Sequence, residues 1–244
     1  MIDCEKTRSD LKKYYAEITY TDSLLGVCLD YLEQSGKTEN TIVIFTSEQG
    51  SEFPFAKWTC YDLGLKTSFI IKWPGKVNPG SRNGALTQYV DVVPTLLEAA
   101  GVIPDSYNTG IKDTNGKKGF DGISFLDVML EKKAEHREYV YGVHTTRGIY
   151  SGSICYPIRS VRSKRFKYII NLNSSAHFFN MVNTRTGGIY ADWLNQTEND
   201  HEKHQFVLKY KQRPKEELYD LSKDPYEMNN LADNLEYTSV KSSL

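Results

Sequence analysis

The side chains best suited to chemistry stand in one short stretch. Thr46-Ser47-Glu48-Gln49-Gly50 closes an apolar, β-branched run, Thr41-Ile-Val-Ile-Phe-Thr46. Such a run reads as a strand buried on both faces, as in a parallel sheet. In open α/β sheets, ligands bind beyond the carboxyl ends of the strands. A carboxylate and a carboxamide placed there, Glu48 and Gln49, offer hard oxygen ligands for Ca²⁺ or Mg²⁺. Gly50 lets the backbone turn away sharply. The competing reading is a solvated Glu-Gln pair at the start of a loop. Lys57 follows, and by itself it reads as a solvated cation. His144 and Arg159 lie much farther along, and His144 reads equally well as a satisfied surface histidine.

These residues need elements to position them. Leu11, Tyr14, Tyr15, Ile18, Leu25, Leu29 and Leu32 recur at helical spacing, with Ser9 or Asp10 as cap and Gly36 as stop. The spacing predicts a helix over 11–35. A helix, a short loop and then a buried strand is the α/β pattern. Ser68 to Trp73 reads as a second strand, stopped by Pro74-Gly75. Asp91 to Ala100 reads as a helix with Pro94 in its first turn, and Ser124 to Lys132 as a short one. After about residue 137 the pattern changes. Segments 139–143, 157–162 and 165–170 alternate as antiparallel strands with one wet face, and 187–213 reads as two polar helices. The expected organisation is an α/β part over 1–137 and an α+β subdomain over 138–244.

Beyond Lys57 the order of motifs becomes informative. Tyr61-Asp62, Trp73-Pro74-Gly75, Asp91-Val-Val-Pro94-Thr95, Phe120-Asp121-Gly122-Ile-Ser124, Arg159-Ser-Val-Arg162 with Lys167-Tyr168, and Leu218-Tyr-Asp-Leu with Asp224-Pro225 follow one another. In this order, over roughly residues 10 to 235, the chain resembles the sulfatase family of the alkaline phosphatase superfamily. The C-terminal third is most similar to its N-sulfoglucosamine sulfohydrolase branch. The resemblance implies a partial alkaline-phosphatase-like sandwich: a central, mostly parallel sheet flanked by helices, with a small C-terminal antiparallel sheet. It implies Glu48 and Gln49 as metal ligands and Lys57 as the catalytic, sulfate-binding cation. It further implies His144 and Arg159 as substrate contacts. Glu48 stands where the family has aspartate and is one methylene longer.

The resemblance also implies what to look for and not find. Sulfatases use a formylglycine made from cysteine or serine in C/S-x-P/A-x-R, together with a divalent metal. That motif is expected upstream of this strand, and Cys4-Glu-Lys-Thr-Arg8 does not fit it. Cys155-Tyr-Pro157-Ile-Arg159 does fit, yet it precedes a strand rather than a helix start, where a dipole would favour an anion. The expectation is a sulfuric ester hydrolase of a sulfated, heparan-type glycan. It needs Ca²⁺ or Mg²⁺ and an upstream formylglycine, and these 244 residues alone are expected to be inactive. A noncatalytic glycan-binding relative and a phosphate or phosphonate ester hydrolase are the alternatives.

Composition excludes several classes. Thirty basic against 31 acidic residues give no field for nucleic acid or a membrane surface. Four scattered cysteines make neither a zinc ribbon nor a disulfide scaffold. No apolar run approaches the ~18 residues that span a bilayer, and the N-terminus has no signal-peptide h-region. A periplasmic, extracellular or lysosomal location is implied by the resemblance alone.

Overall fold

The computed structural model describes residues 1–145, 149 and 151–244. The chain opens with α1 (Glu5–Gln34). This helix starts earlier than its capping residues suggest, because tertiary contacts hold its first turn. The buried Thr7 hydroxyl donates to the Ile2 carbonyl at 2.7 Å and accepts from Trp193 Nε1 at 2.7 Å. Cys4 Sγ reaches Asp192 Oδ2 at 3.1 Å. Asp10, read as a cap, instead pairs with Lys6 one turn back, at 2.7 Å. The helix ends before Gly36, whose φ of 67° is a left-handed stop.

Next come β1 (Val43–Thr46), α2 (Asp62–Leu65), β2 (Phe69–Lys72), α3 (Val92–Ala99) and α4 (Leu126–Met129). Strands β1 and β2 form a two-stranded antiparallel sheet, with Val43 opposite Lys72 and Thr46 opposite Phe69. The α/β class holds, but the parallel ladder expected around β1 is absent among the described residues. The apolar run predicts a strand covered on both faces. Here the faces of β1 are only partly covered, and its side chains stay half-buried or exposed.

The C-terminal part carries β3 (Val140–His144), β4 (Ile158–Arg162) and β5 (Phe166–Asn171). It continues with α5 (Met181–Thr184), α6 (Ile189–Gln196), α7 (His201–Lys209), β6 (Glu216–Asp220) and α8 (Thr238–Ser243). The strands form one antiparallel sheet in the order β3-β4-β5-β6; the alternating pattern predicts the first three, and β6 joins them unforeseen. Helices α6 and α7 are less polar than they read: Trp193, Tyr190 and Val207 are buried. One apolar cluster joins Phe53, Cys60 and Tyr61 to Tyr156, Ile158, Ile169, Phe178, Trp193 and Tyr210, crossing residue 137.

The ordered motifs act largely as joints. Asp91 is fully buried and accepts from the amides of Gln88 and Ile123 at 2.9 Å each. It also accepts from Arg137 Nε at 2.8 Å and lies 3.2 Å from His136 Nε2. The Thr95 hydroxyl donates to the Asp91 carbonyl at 2.7 Å and accepts from the Phe125 amide at 3.0 Å. Gly122 is required by close approach, since a Cβ there would sit 1.8 Å from the Val90 carbonyl oxygen. The D-x-x-P-T helix and the F-D-G-I-S segment are thus bolted together.

Candidate active site

The loop after β1 begins with Glu48 and Gln49 and returns through Lys57 to α2. Phe53, Pro54 and Ala56 bury themselves and anchor it. The Lys57 amide donates to the Ser51 carbonyl at 2.9 Å and the Gly50 amide to that of Gly64 at 3.1 Å, so the loop folds back on itself. Gly50 is needed for contact rather than for a turn. A Cβ there would lie 1.9 Å from the Leu63 carbonyl oxygen.

Lys57 sits between two strained residues. Phe55 has φ 67° and Trp58 φ 63°, both left-handed without being glycine. Each such residue costs on the order of 1–3 kcal/mol and persists only where its surroundings impose it. Here the Phe55 ring imposes it, stacked on Phe206 at 4.7 Å and packed against Tyr61 and Tyr210. The Lys57 ammonium lies 5.1 Å from the Trp58 ring centroid. It makes no ion pair with the described residues. Gln49 Nε2 donates to Glu48 Oε1 at 3.2 Å, so these two side chains are adjacent.

The other sequence-derived residues are not brought to this loop by any contact. His144 and Arg159 lie on neighbouring strands but face opposite ways. His144 pairs in register with the buried Ile158, and Arg159 with the exposed Val143. The His144 ring packs edge-on against Phe178 at 5.6 Å, and its buried Nε2 has no hydrogen-bond partner among the described residues. Burial, then the nearby Arg213 charge, depresses its pKa from 6.5 to about 4. Arg159 reaches outward, and its Nη1 donates to the Ile158 carbonyl at 2.8 Å. Cys155 is exposed and lies three residues before β4, with no helix start beside it.

Several residues of the ordered motifs meet partners that the sequence did not mark, Glu217 and Glu227. Lys167 is fully buried and pairs with Asp62 at 2.8 Å and Glu227 at 3.1 Å. Arg162 Nε completes the Asp62 pairing at 3.1 Å. Burial pushes the Glu227 carboxyl up to about 7, while Lys167 pulls against it. Tyr61 donates to Glu217 at 2.7 Å. The Tyr-Asp pair therefore ties the α2 region to the C-terminal sheet. A cavity of about 630 Å³ opens nearby, lined among others by Lys66, Phe69, Tyr141 and Arg162. None of Glu48, Gln49 and Lys57 lines it.

A Sulfatase family profile matches residues 2–102, the stretch containing this loop. An ulvan-active sulfatase of Formosa agariphila is 35% identical over 233 residues, covering 95% of this chain and 41% of that protein. The chain belongs to the sulfatase family. Human N-sulphoglucosamine sulphohydrolase is 28% identical over 229 residues, covering 92% of this sulfatase chain and 44% of the relative. The chain thus spans about two fifths of the length of the curated relatives it matches. A solved structure in complex with its substrate D-glucosamine-2-N,6-O-disulfate shares the fold, with TM-score 0.64 and 23% identity over 93% of this chain and 37% of that one. A phosphonate monoester hydrolase of Agrobacterium radiobacter also shares it, with TM-score 0.58 and 22% identity over 94% of this chain and 38% of the other.

Proposed function

We propose that this chain supplies the sulfate-holding part of a hydrolase acting on a sulfated glycan. Its loop 48–57 would lie at the reacting centre. The observation that carries this reading is Lys57, flanked by the strained Phe55 and Trp58 and without an ion pair among the described residues. A cation set between two left-handed residues, without an ion-pair partner, is held ready for an anion. Lys57 would bind a sulfate oxygen and stabilise negative charge as the sulfur–oxygen or sulfur–nitrogen bond breaks.

The donor chemistry of Glu48 and Gln49 suits a hard divalent cation, since both offer side-chain oxygens from adjacent positions. Ca²⁺ takes ~6–8 oxygens, so further ligands would have to join these two. Among the described residues, no three His, Cys, Asp or Glu side chains cluster as a metal site. When bound, the metal would supply Lewis-acid charge stabilisation, and a formylglycine from polypeptide outside residues 1–244 the nucleophile. Arg159, which reaches outward from β4, would meet an anionic sugar. His144 would act in substrate binding by shaping the wall behind Phe178.

A glucosamine-containing, heparan-type glycan is the substrate we favour. The relative acting on N-sulfoglucosamine and the complex with a glucosamine disulfate support it, whereas the ulvan-active relative points to ulvan. The test joins residues 1–244 to the N-terminal part of the ulvan-active relative and measures sulfate release from heparan disaccharides and from ulvan. Release from the heparan disaccharides is expected, and none from residues 1–244 alone. Release from ulvan only would replace the substrate, and turnover by residues 1–244 alone would overturn the external nucleophile.

A further inference from the structure

Away from this loop, Arg213 presents a problem of charge. Its side chain is 3% exposed, yet it has no carboxylate within ion-pair distance among the described residues. Its Nε donates to the Tyr210 carbonyl at 3.2 Å, while the buried Nη2 has no partner among the described residues. The guanidinium lies 3.9 Å from the Phe178 ring centroid and 5.3–5.4 Å from those of Tyr210 and Tyr61. Stacking on aromatic faces offsets part of the desolvation of a cation. It does nothing for the N–H donors in the guanidinium plane, which still want acceptors. A buried, uncompensated charge costs several kcal/mol by general experience, so burial of this kind ordinarily comes with an anion.

Arg213 also lines a cavity of about 540 Å³, together with Ser174, Ser175, His177 and Gln212. Its walls are two cross-bonded segments. The Phe178 amide donates to the Lys211 carbonyl at 2.8 Å, and Asn171 Nδ2 to the Pro214 carbonyl at 2.7 Å. Only Ala176 and Pro214 in the lining lack a side-chain donor; the other four side chains beside Arg213 can each donate to an anion. The stretch Lys209-Tyr-Lys-Gln-Arg-Pro-Lys215 adds three more cations, of which only Lys209 has a carboxylate partner among the described residues, Glu217 at 3.5 Å. The local field is therefore positive. None of Glu48, Gln49 and Lys57 contributes to it.

We propose that this cavity is an oxyanion-binding site. The Arg213 guanidinium forms its floor, and the hydroxyls of Ser174 and Ser175, the Gln212 carboxamide and the His177 ring form its rim. A sulfate fits this donor set, either as the free ion or as a group carried on a sugar. The site goes beyond the hydrolytic reading and does not depend on it.

The test is calorimetric titration of the 244-residue chain carrying Lys57→Ala, so that binding at the loop does not intrude. The probes are sodium sulfate and N-acetylglucosamine 6-sulfate, with sodium chloride at matched ionic strength as control. Sulfate binding above the chloride control is expected, weakened about tenfold by Arg213→Lys, which keeps charge but loses the planar fork. Ser175→Ala and Gln212→Ala, both at exposed positions, are expected to weaken it several-fold without loss of folding. Tighter binding of the sugar sulfate upholds the site and assigns the anion to a glycan. Equal binding upholds it and assigns the free ion. Heat indistinguishable from chloride, or affinities unchanged in the Ser175 and Gln212 variants, would overturn it.

Discussion

At the scale of single residues, environment rather than type decides what each group does. His144 is a histidine that the fold holds neutral. The unfolded chain takes up a proton near the ordinary 6.5, whereas the buried ring resists until about 4. Between those values the unfolded state binds more protons, so stability rises with pH and is lost as pH falls from 6.5 towards 4. The full window is worth at most about 3.4 kcal/mol. Urea unfolding at a series of pH values should show this slope, and His144→Gln should flatten it. An unchanged slope would place the ring in water. The sequence made Glu48, Gln49 and Lys57 visible because they sit in an ordered series of motifs. It left Arg213 and Glu217 unseen, because nothing local marks a charge that will be buried by distant aromatic rings. Glu217 is fully buried and accepts from Tyr61 at 2.7 Å, Tyr219 at 2.5 Å and Asn171 at 2.9 Å, three partners far apart in sequence.

At the scale of elements, the strands after residue 137 were legible from alternation, as in β4 and β5. Strand β6 was not, because Glu216, Glu217 and Asp220 disguise it until their partners Tyr168, Tyr61 and Arg165 are known. The direction of pairing at β1 was misread for a related reason. An apolar run reports that a strand wants cover, and not which way its neighbour runs. Two consequences follow for stability. Lys167→Ala leaves Glu227 without its cation and Asp62 with Arg162 alone, and should cost about 3–5 kcal/mol in chemical denaturation. Lys164→Ala removes only an exposed pair with Glu135, and should cost under about 1 kcal/mol. Equal effects would contradict the buried joint between α2, β5 and the 224–227 turn. Gly122→Ala forces a methyl against the Val90 carbonyl and should destabilise by about 1–3 kcal/mol or more, read as a lowered Tm.

At the scale of the whole molecule, much apolar surface is open. Tyr20, Leu24, Val27 and Tyr31 form a stripe along α1 and are 62%, 49%, 49% and 69% exposed. The two-stranded β1–β2 sheet adds Ile70 at 60% and unpaired strand edges. Patches of this kind mark surfaces that want a partner, and open edges invite association. Residues 1–244 should therefore self-associate with rising concentration, and Leu24→Lys with Val27→Glu should reduce the scattering mass. A monomer at all concentrations would show that the stripe is tolerated in water. The cation in the loop after β1 would hold the sulfate. The most direct measurement of this role is kcat/KM for sulfate release by the active joined enzyme, with Lys57 intact and as Lys57→Ala. A fall of ~10²-fold or more is expected for a lost charge-stabilising group, and an undiminished rate would contradict the account.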